Sequence, residues 1–429
     1  MRKTAKHAAA NLHAARHGKL RPSSSLRNGI KGLLTGILVL GLSLVSVAAY
    51  ALLDISSKVT TIEPPKGTAK VEAPKTLEGE LNVLLVGSDT RQGQEIDDGE
   101  LGELNDVTML LRISADHTRA TVVSFPRDLM LSIPSCPGPN GEENFYSAMS
   151  EQQLNTTLQY GGLPCTVATI EELTGATIPY AGLITFDGVT AMSNALGGVD
   201  VCLTQPIEDP NTELNLPAGE VTLIGKEALQ FLRTRYGVGD GSDVSRISNQ
   251  QVFMAAMMRQ IRSSDTLGNP AKVYSLAKAA VENMTLYSNM ASVEFMQAVA
   301  ETIRKIDLEN ITFVQYPSYD HPYQQGRLAP NTVAGDELMA RILSDQDFTI
   351  GGPGEGVDTS AADPGTAADG STGDTGGAAT DPGADPNATG GAAGTASDGS
   401  GTAPVTDDVL ADVTGQKASD TTCSGGRTR

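Results

Sequence analysis

The chain is poor in the residues that hold metals through nitrogen and sulfur. Its five histidines are scattered, and its four cysteines, Cys136, Cys165, Cys202 and Cys423, include no C-x-x-C pair. That removes the usual zinc patterns. Acidic residues are missing from 1–31, where eight Lys or Arg stand. Charge of either sign is missing from 32–53, GLLTGILVLGLSLVSVAAYALL. Such a run is long enough to cross a bilayer, which takes roughly 20 helical residues. Lys and Arg are missing again from 351 to 416. The formal net charge is -20, and the basic residues concentrate in the short arm beside the apolar run. Nucleic-acid binding is excluded on this pattern, because everything beyond the arm is acidic.

These gaps divide the chain of 429 residues. A basic arm, 1–31, is expected in the cytoplasm and a transmembrane helix over 32–53 in the lipid bilayer, with the remainder outside. A secretory signal peptide is the competing reading. The basic region is long for one, and no small-x-small cleavage site stands out, which favours an uncleaved, single-pass anchor in the cell membrane. Residues 54–80, rich in Pro, Lys and Glu, read as an extracellular stalk. A globular domain is expected over 81–346. The tail, 347–429, is dominated by Gly, Ala, Thr and Asp and is expected to be disordered, since it cannot bury enough apolar surface to offset its ordering entropy. Its only faintly structured piece is 405–413. Disulfides are permitted outside the membrane. Cys136 and Cys165 flank one loop-helix region and are the expected pair, whereas Cys202 lies in a strand and reads equally as a buried small hydrophobe.

Within the domain, three apolar runs end in charge. NVLLVGSDTR (82–91) closes on Asp89 and Arg91, VTMLLRI (107–113) follows Asn105-Asp106, and TVVSF (121–125) leads into Pro126-Arg127-Asp128. Short β-branched runs bounded by Gly, Pro and acids read as buried strands. Charged residues at such ends stand where open α/β sheets hold ligands. Helices are expected at 146–160, at 165–175 with Thr166 as cap and Gly175 as stop, and from Asp187 to Leu196. Others are expected at 225–235, from Arg246 onward, and at about 272–282, 291–304 and 334–344. The fold class expected is α/β, a mixed central β-sheet with helices on both faces.

The ordered set NVLLVGSDTR, NDVTMLLRI, SFPRD, LNTTLQYGG (154–162), TVATIEELTG, ALGGVDV, ALQFLRTR and DVSRISNQQ resembles the LytR-CpsA-Psr family of bacterial cell-envelope proteins over about residues 81–265. The resemblance implies a phosphotransferase that moves a glycopolymer from a polyprenyl-pyrophosphate carrier to peptidoglycan, forming a phosphodiester. It also implies Mg2+ held with the pyrophosphate by Asp89 and Asp106. Arg91, Arg127, Arg233, Arg235 and Arg246 would surround the head-group, with Asp243 and Gln250 nearby, and apolar residues would wrap the lipid chain. Asp89, Asp106 and Arg127 would carry the catalysis. Guanidinium forks match phosphoryl oxygens, and magnesium favours carboxylate and phosphate oxygens.

The chain departs from the family pattern at Leu104 and Asn249, where arginines are frequent, and at Gln153, where lysine is. Glu220 replaces a second cysteine frequent in this subtype, so Cys202 is left either unpaired or paired with Cys423. Two rival readings stand beside the transferase: a non-catalytic protein that binds lipid-linked glycan or regulates the envelope, and a polyprenyl-pyrophosphate hydrolase.

Overall fold

Leu81–Ser88 (LNVLLVGS) is apolar at nearly every position, and seven of its eight residues are buried. A strand buried on both alternating faces belongs in the interior of a covered sheet. In the computed structural model it lies fourth in a nine-stranded sheet. The described residues are 30–31, 33–36, 59–65, 77–88, 104–138, 142–359 and 409–427.

The strands run in the order Thr60–Ile62, Met284–Tyr287, Tyr180–Thr185, Leu81–Ser88, Asn105–Ile113, Ala120–Phe125, Ile311–Gln315, Val409–Lys417 and Thr349–Gly352. The three strands from Leu81 to Phe125 form an antiparallel meander. Leu81–Ser88 pairs in parallel with Tyr180–Thr185, and Ala120–Phe125 in parallel with Ile311–Gln315. The sheet is therefore mixed. The helices Thr157–Thr174 and Thr332–Leu343 pack on one another, and the helices Phe186–Leu196, Lys226–Arg233 and Asp243–Arg262 form a second group. One apolar core joins the sheet to Leu158, Ile170, Phe295, Leu338 and Ala255. A second lies under Val199, Phe231 and Phe253.

The long helix starts where Ser242 Oγ accepts from the Ser245 amide at 3.2 Å. The helix expected from Asp187 runs Phe186–Leu196 and is capped by Thr185, whose hydroxyl accepts from the Gly188 amide at 3.3 Å. Gly175 ends its helix in the left-handed region, as expected.

Several expectations are corrected. Residues 146–153 are not helical: Met149–Gln153 is a strand paired with Met130–Ile133, followed by a 3-10 turn and a helix from Thr157. That helix is kinked at Gly161–Gly162, and Thr166 lies inside it. A Cβ at Gly161 would stand 2.8 Å from that of Cys165 and 3.0 Å from that of Cys136, so only glycine lets the chain pass the disulfide.

The stalk is not wholly free of the domain. Thr60–Ile62 adds an edge strand in parallel to Met284–Tyr287, because the extended TTI segment satisfies backbone groups that edge would otherwise expose. The disorder expected of the tail is corrected at its described residues, while 360–408 lie outside them. Val409–Lys417 enters the central sheet between Ile311–Gln315 and Thr349–Gly352, burying Leu410 and Val413 in the main core. A short strand, Cys423–Ser424, then pairs in parallel with Val199–Leu203.

Both disulfides are formed, Cys136–Cys165 as expected and Cys202–Cys423. Residues 1–54 separate from 55–429 as a unit. The anchor expected at 32–53 lies outside the described residues, apart from four helical positions, 33–36. No helix among the described residues is long and apolar enough to cross a membrane.

Candidate active site

Asp106 stands at a fault in the sheet. Gly87 pairs with Val107 and Ser88 with Asn105, so Asp106 is an extra residue without a partner. A bulge of this kind re-aims a side chain, and here the carboxylate faces a cavity of about 450 Å³. Arg127 approaches from the end of the neighbouring strand, and its Nη1 donates to Asp106 Oδ1 at 2.5 Å. The Arg127 backbone is fixed from both sides. Its N–H donates to Asp243 Oδ2 at 3.0 Å, and its carbonyl accepts from the Asn155 amide at 3.1 Å.

The helix Lys226–Arg233 delivers two more guanidinium groups. It ends at Thr234, whose backbone is extended, so Arg233 and Arg235 both reach the cavity. Asp209 fixes this exit, accepting from the Thr234 hydroxyl at 2.7 Å and the Arg235 amide at 3.3 Å. The Arg233 guanidinium lies 4.7 Å from the centre of the Phe186 ring. Arg246, one turn into the long helix, lines the cavity and pairs with Asp243, both side chains being almost fully buried. The Gln250 amide also reaches the wall, but donates to the Leu232 carbonyl at 2.9 Å.

Behind this front stand two carboxylates that are not cavity walls. Asp243 accepts from Arg127 and pairs with Arg246. Asp128 accepts from Gln153 Nε2 at 2.6 Å and Arg327 Nη1 at 3.1 Å, and lies 3.5 Å from Arg235 Nη1. Burial, aided by the nearby Asp243 charge, pushes the Asp128 carboxyl above its ordinary range against the pull of Arg127, Arg235 and Arg246. Burial lowers Arg246, with Asp243 opposing. Burial also pulls Arg127 down, but Asp106, Asp128 and Asp243 together carry it above the usual guanidinium value.

The cavity wall thus carries four guanidinium groups with two carboxylates, Asp106 and Asp209, and is held from behind by Asp128 and Asp243. Beyond these groups the wall is largely apolar, with Leu85, Met109, Met192, Phe253, Met257 and Met284. An anion carrying a long apolar chain matches this distribution.

The structure gathers Asp106, Arg127, Arg233, Arg235, Arg246 and Gln250 around one cavity. Asp243 lies behind the arginines. Asp89 and Arg91 lie outside the described residues. Asn249, where the family resemblance leads one to expect an arginine, is turned from the cavity and buried, donating to the Phe231 carbonyl at 2.7 Å and accepting from the Ser424 hydroxyl. Gln153, where the same resemblance leads one to expect a lysine, holds Asp128. Sequence reasoning missed Asp128 and Arg327 as members of the cluster. Asp128 carried a signal in its place beside Arg127, but Arg327 carried none, lying about sixty residues beyond the resembling stretch.

The profile of the LytR_cpsA_psr family matches residues 49–334. The cell wall biosynthesis protein LcpA of Corynebacterium glutamicum is 30% identical over 276 residues, covering 58% of this chain and 52% of LcpA. The polyisoprenyl-teichoic acid–peptidoglycan teichoic acid transferase TagT of Bacillus subtilis is 26% identical over 285 residues, covering 62% of this chain and 82% of TagT. The chain thus spans about half the length of LcpA. Among solved structures, the LytR-Csp2A-Psr enzyme from Actinomyces oris has a TM-score of 0.51 at 24% identity, covering 66% of this chain and 96% of that one. That likeness concerns the fold.

Proposed function

The chain belongs to the LytR_cpsA_psr family, and from that premise we propose that it is a membrane-anchored phosphotransferase that moves a glycopolymer from a polyprenyl-pyrophosphate carrier to peptidoglycan. One observation carries the reading: four arginines line a cavity of about 450 Å³ whose remaining wall is largely apolar. Pyrophosphate would lie among Arg127, Arg233, Arg235 and Arg246, and the prenyl chain would run along the methionine-lined wall. In the reaction an acceptor sugar hydroxyl forms a new P–O bond. The bond from that phosphorus to polyprenyl phosphate breaks, and the hydroxyl proton ends on the released polyprenyl phosphate.

Phosphoryl transfer depends on positioning and on clamping developing charge. Arg127 suits the clamp, because its guanidinium is locked against Asp106 and its backbone against Asp243. Arg246 is desolvated, so its charge acts with little screening. Magnesium fits the front of the site as a shared ion and not as a caged one. Among the described residues no group of three His, Cys, Asp or Glu could hold a metal. Magnesium, however, is commonly bound by one or two carboxylates together with substrate phosphates, and Asp106 offers a hard oxygen donor at the mouth. Asp106 and Asp89 would hold it, and when bound it would neutralise charge on the phosphate oxygens.

The test is to incubate the full chain in detergent with a polyprenyl-pyrophosphate-linked glycan and peptidoglycan, and to look for covalent attachment through a phosphodiester. Release of glycan phosphate without attachment would show a hydrolase instead. Saturable binding with no turnover would show a carrier protein.

A further inference from the structure

Arg327 joins the cluster from a hairpin that the reading above does not use. Ser318–Asp320 pairs antiparallel with Leu328–Pro330. The Leu328 amide donates to the Asp128 carbonyl at 3.0 Å, and Leu129 bridges to Leu328, so the hairpin is fastened to the turn that carries Arg127. Asp128 is consequently flanked by Arg235 on the cavity side and by Arg327 on the hairpin side.

The connecting loop is tied down. The His321 amide donates to the Arg327 carbonyl at 2.9 Å, and the Arg327 amide to the Gln324 carbonyl at 3.1 Å. His321 Nδ1 accepts from the amides of Tyr323 and Gln324 at 3.3 and 3.1 Å, and Nε2 lies 3.0 Å from Glu151. On this fixed frame Tyr323 is 91% exposed and Tyr319 53%. Tyr236, next to Arg235 on the cavity rim, is 53% exposed as well. A single exposed aromatic needs no explanation. Here, among the described residues, the three most exposed tyrosines lie on the hairpin that carries Arg327 (Tyr319 and Tyr323) or against Arg235 (Tyr236), the two arginines that flank Asp128, in a chain with no tryptophan.

We propose that Tyr319 and Tyr323, with His321, Gln324, Glu151 and Arg327, form a saccharide subsite that seats the acceptor glycan strand. The assignment rests on the transfer reading of the arginine mouth. A sugar ring has apolar C–H faces and a rim of hydroxyls. A phenol ring offers an apolar face with a polar tip, and the amide, imidazole and carboxylate around it offer donors and acceptors.

The acceptor, and not the donor glycan, fits the location. The departing polyprenyl phosphate points into the apolar cavity, and in-line transfer brings the attacking oxygen from the opposite side. Asp128 and Arg327 are not cavity walls and stand beyond the arginines from it. Glu151, against His321, and Gln153, against Asp128, are alternate residues of one strand and hence about 7 Å apart. With the His321 and Tyr323 rings 6.2 Å apart, Tyr323 lies on the order of 15 Å from Asp128 by the same strand spacing. A short oligosaccharide bridges that distance.

Steady-state transfer by the full chain, with donor and soluble peptidoglycan glycan strands varied independently, tests the assignment. Tyr323→Ala should raise KM for the glycan strands about fivefold to tenfold, an expectation for one lost aromatic contact. KM for the lipid-linked donor and kcat should hold, and Tyr323→Phe should keep most of the affinity. Saturation-transfer NMR on glycan strands alone gives a second readout: transfer from wild type that is lost in Tyr323→Ala. An unchanged acceptor KM with unchanged saturation transfer in Tyr319→Ala/Tyr323→Ala would overturn the subsite. A rise in donor KM alone would overturn the acceptor assignment. If wild type transfers nothing, yet glycan saturation depends on Tyr323, the subsite stands and the transfer reading falls.

Discussion

Asn249 accepts a hydrogen bond from the Ser424 hydroxyl across 175 positions of sequence. Its amide donates to the Phe231 carbonyl, in the helix that delivers Arg233. One buried side chain thus ties together the C-terminal strand, the helix of Asp243 and Arg246, and the helix of Arg233. Asn249→Ala would leave two buried partners unpaired, at a cost of about 1–3 kcal/mol, read as a lower midpoint in urea. Asn249→Arg should not add activity, since the position faces away from the cavity, and should destabilise more than alanine.

The C-terminal segment is part of the domain. Gly425 accepts from the Gly239 amide at 3.2 Å, and the Arg427 amide donates to the Gly237 carbonyl at 2.9 Å. It therefore grips the loop between Arg235 and Asp243. A Cβ at Gly241 in that loop would collide with the Arg427 guanidinium. Ending the chain at 408, or replacing Cys423 by Ser, should cost about 2–5 kcal/mol, the usual range for losing a native disulfide. Thermal melts by circular dichroism check this, and unchanged melting would show that the segment is not docked.

The sequence announced its central strands because burial on both faces demands continuous apolar runs, as in Leu81–Ser88. The charged strand ends were legible for the same reason, standing where such runs stop. The bulge at Asp106 was not, because it exists only in the register between two strands. Met149–Gln153 (MSEQQ) escaped because an exposed hairpin needs no apolar alternation. Val409–Lys417 was legible only in part, as the faintly structured piece 405–413, because it buries only Leu410 and Val413 among its apolar residues, against partners far upstream. Arg327 has no local pattern, and only the hairpin's docking on Leu129 brings it to Asp128.

Asp128 predicts a pH effect of definite sign. Its folded pKa lies above the ordinary value through burial and the Asp243 charge, so the folded state favours the protonated form. This group's contribution to stability is therefore full below its unfolded pKa, about 3.9, and is lost as pH rises through the folded pKa. Asp128→Asn keeps an acceptor for Gln153 and Arg327 without that ionisation. The stability of Asp128→Asn relative to wild type should be greatest near neutral pH and shrink as pH falls towards 4. Urea unfolding of both proteins across that range checks it, and a gap that widens on acidification would refute the sign.

The pairing of Asp106 with Arg127 makes the sharpest catalytic prediction, because the two residues meet the substrate differently. Arg127→Ala removes a positioned donor to phosphoryl oxygens and should lower kcat about 10²–10³-fold, the range for losing one preorganised donor at a developing negative charge. Added magnesium should not restore it, since the missing guanidinium makes its own charged hydrogen bonds. Arg127→Lys should recover little, because an ammonium cannot reproduce the planar fork that reaches Asp106 and a phosphate together. Asp106→Asn and Asp89→Asn keep the shape but weaken the site for magnesium, so part of their lost activity should return at high magnesium. Ordinary surface pairing predicts the opposite pattern, with costs below about 1 kcal/mol and intact activity. Transfer rates across a magnesium series, on variants first shown to be folded, separate the two. Wild-type rates in Arg127→Ala and in both aspartate variants would remove the arginine mouth from the reaction.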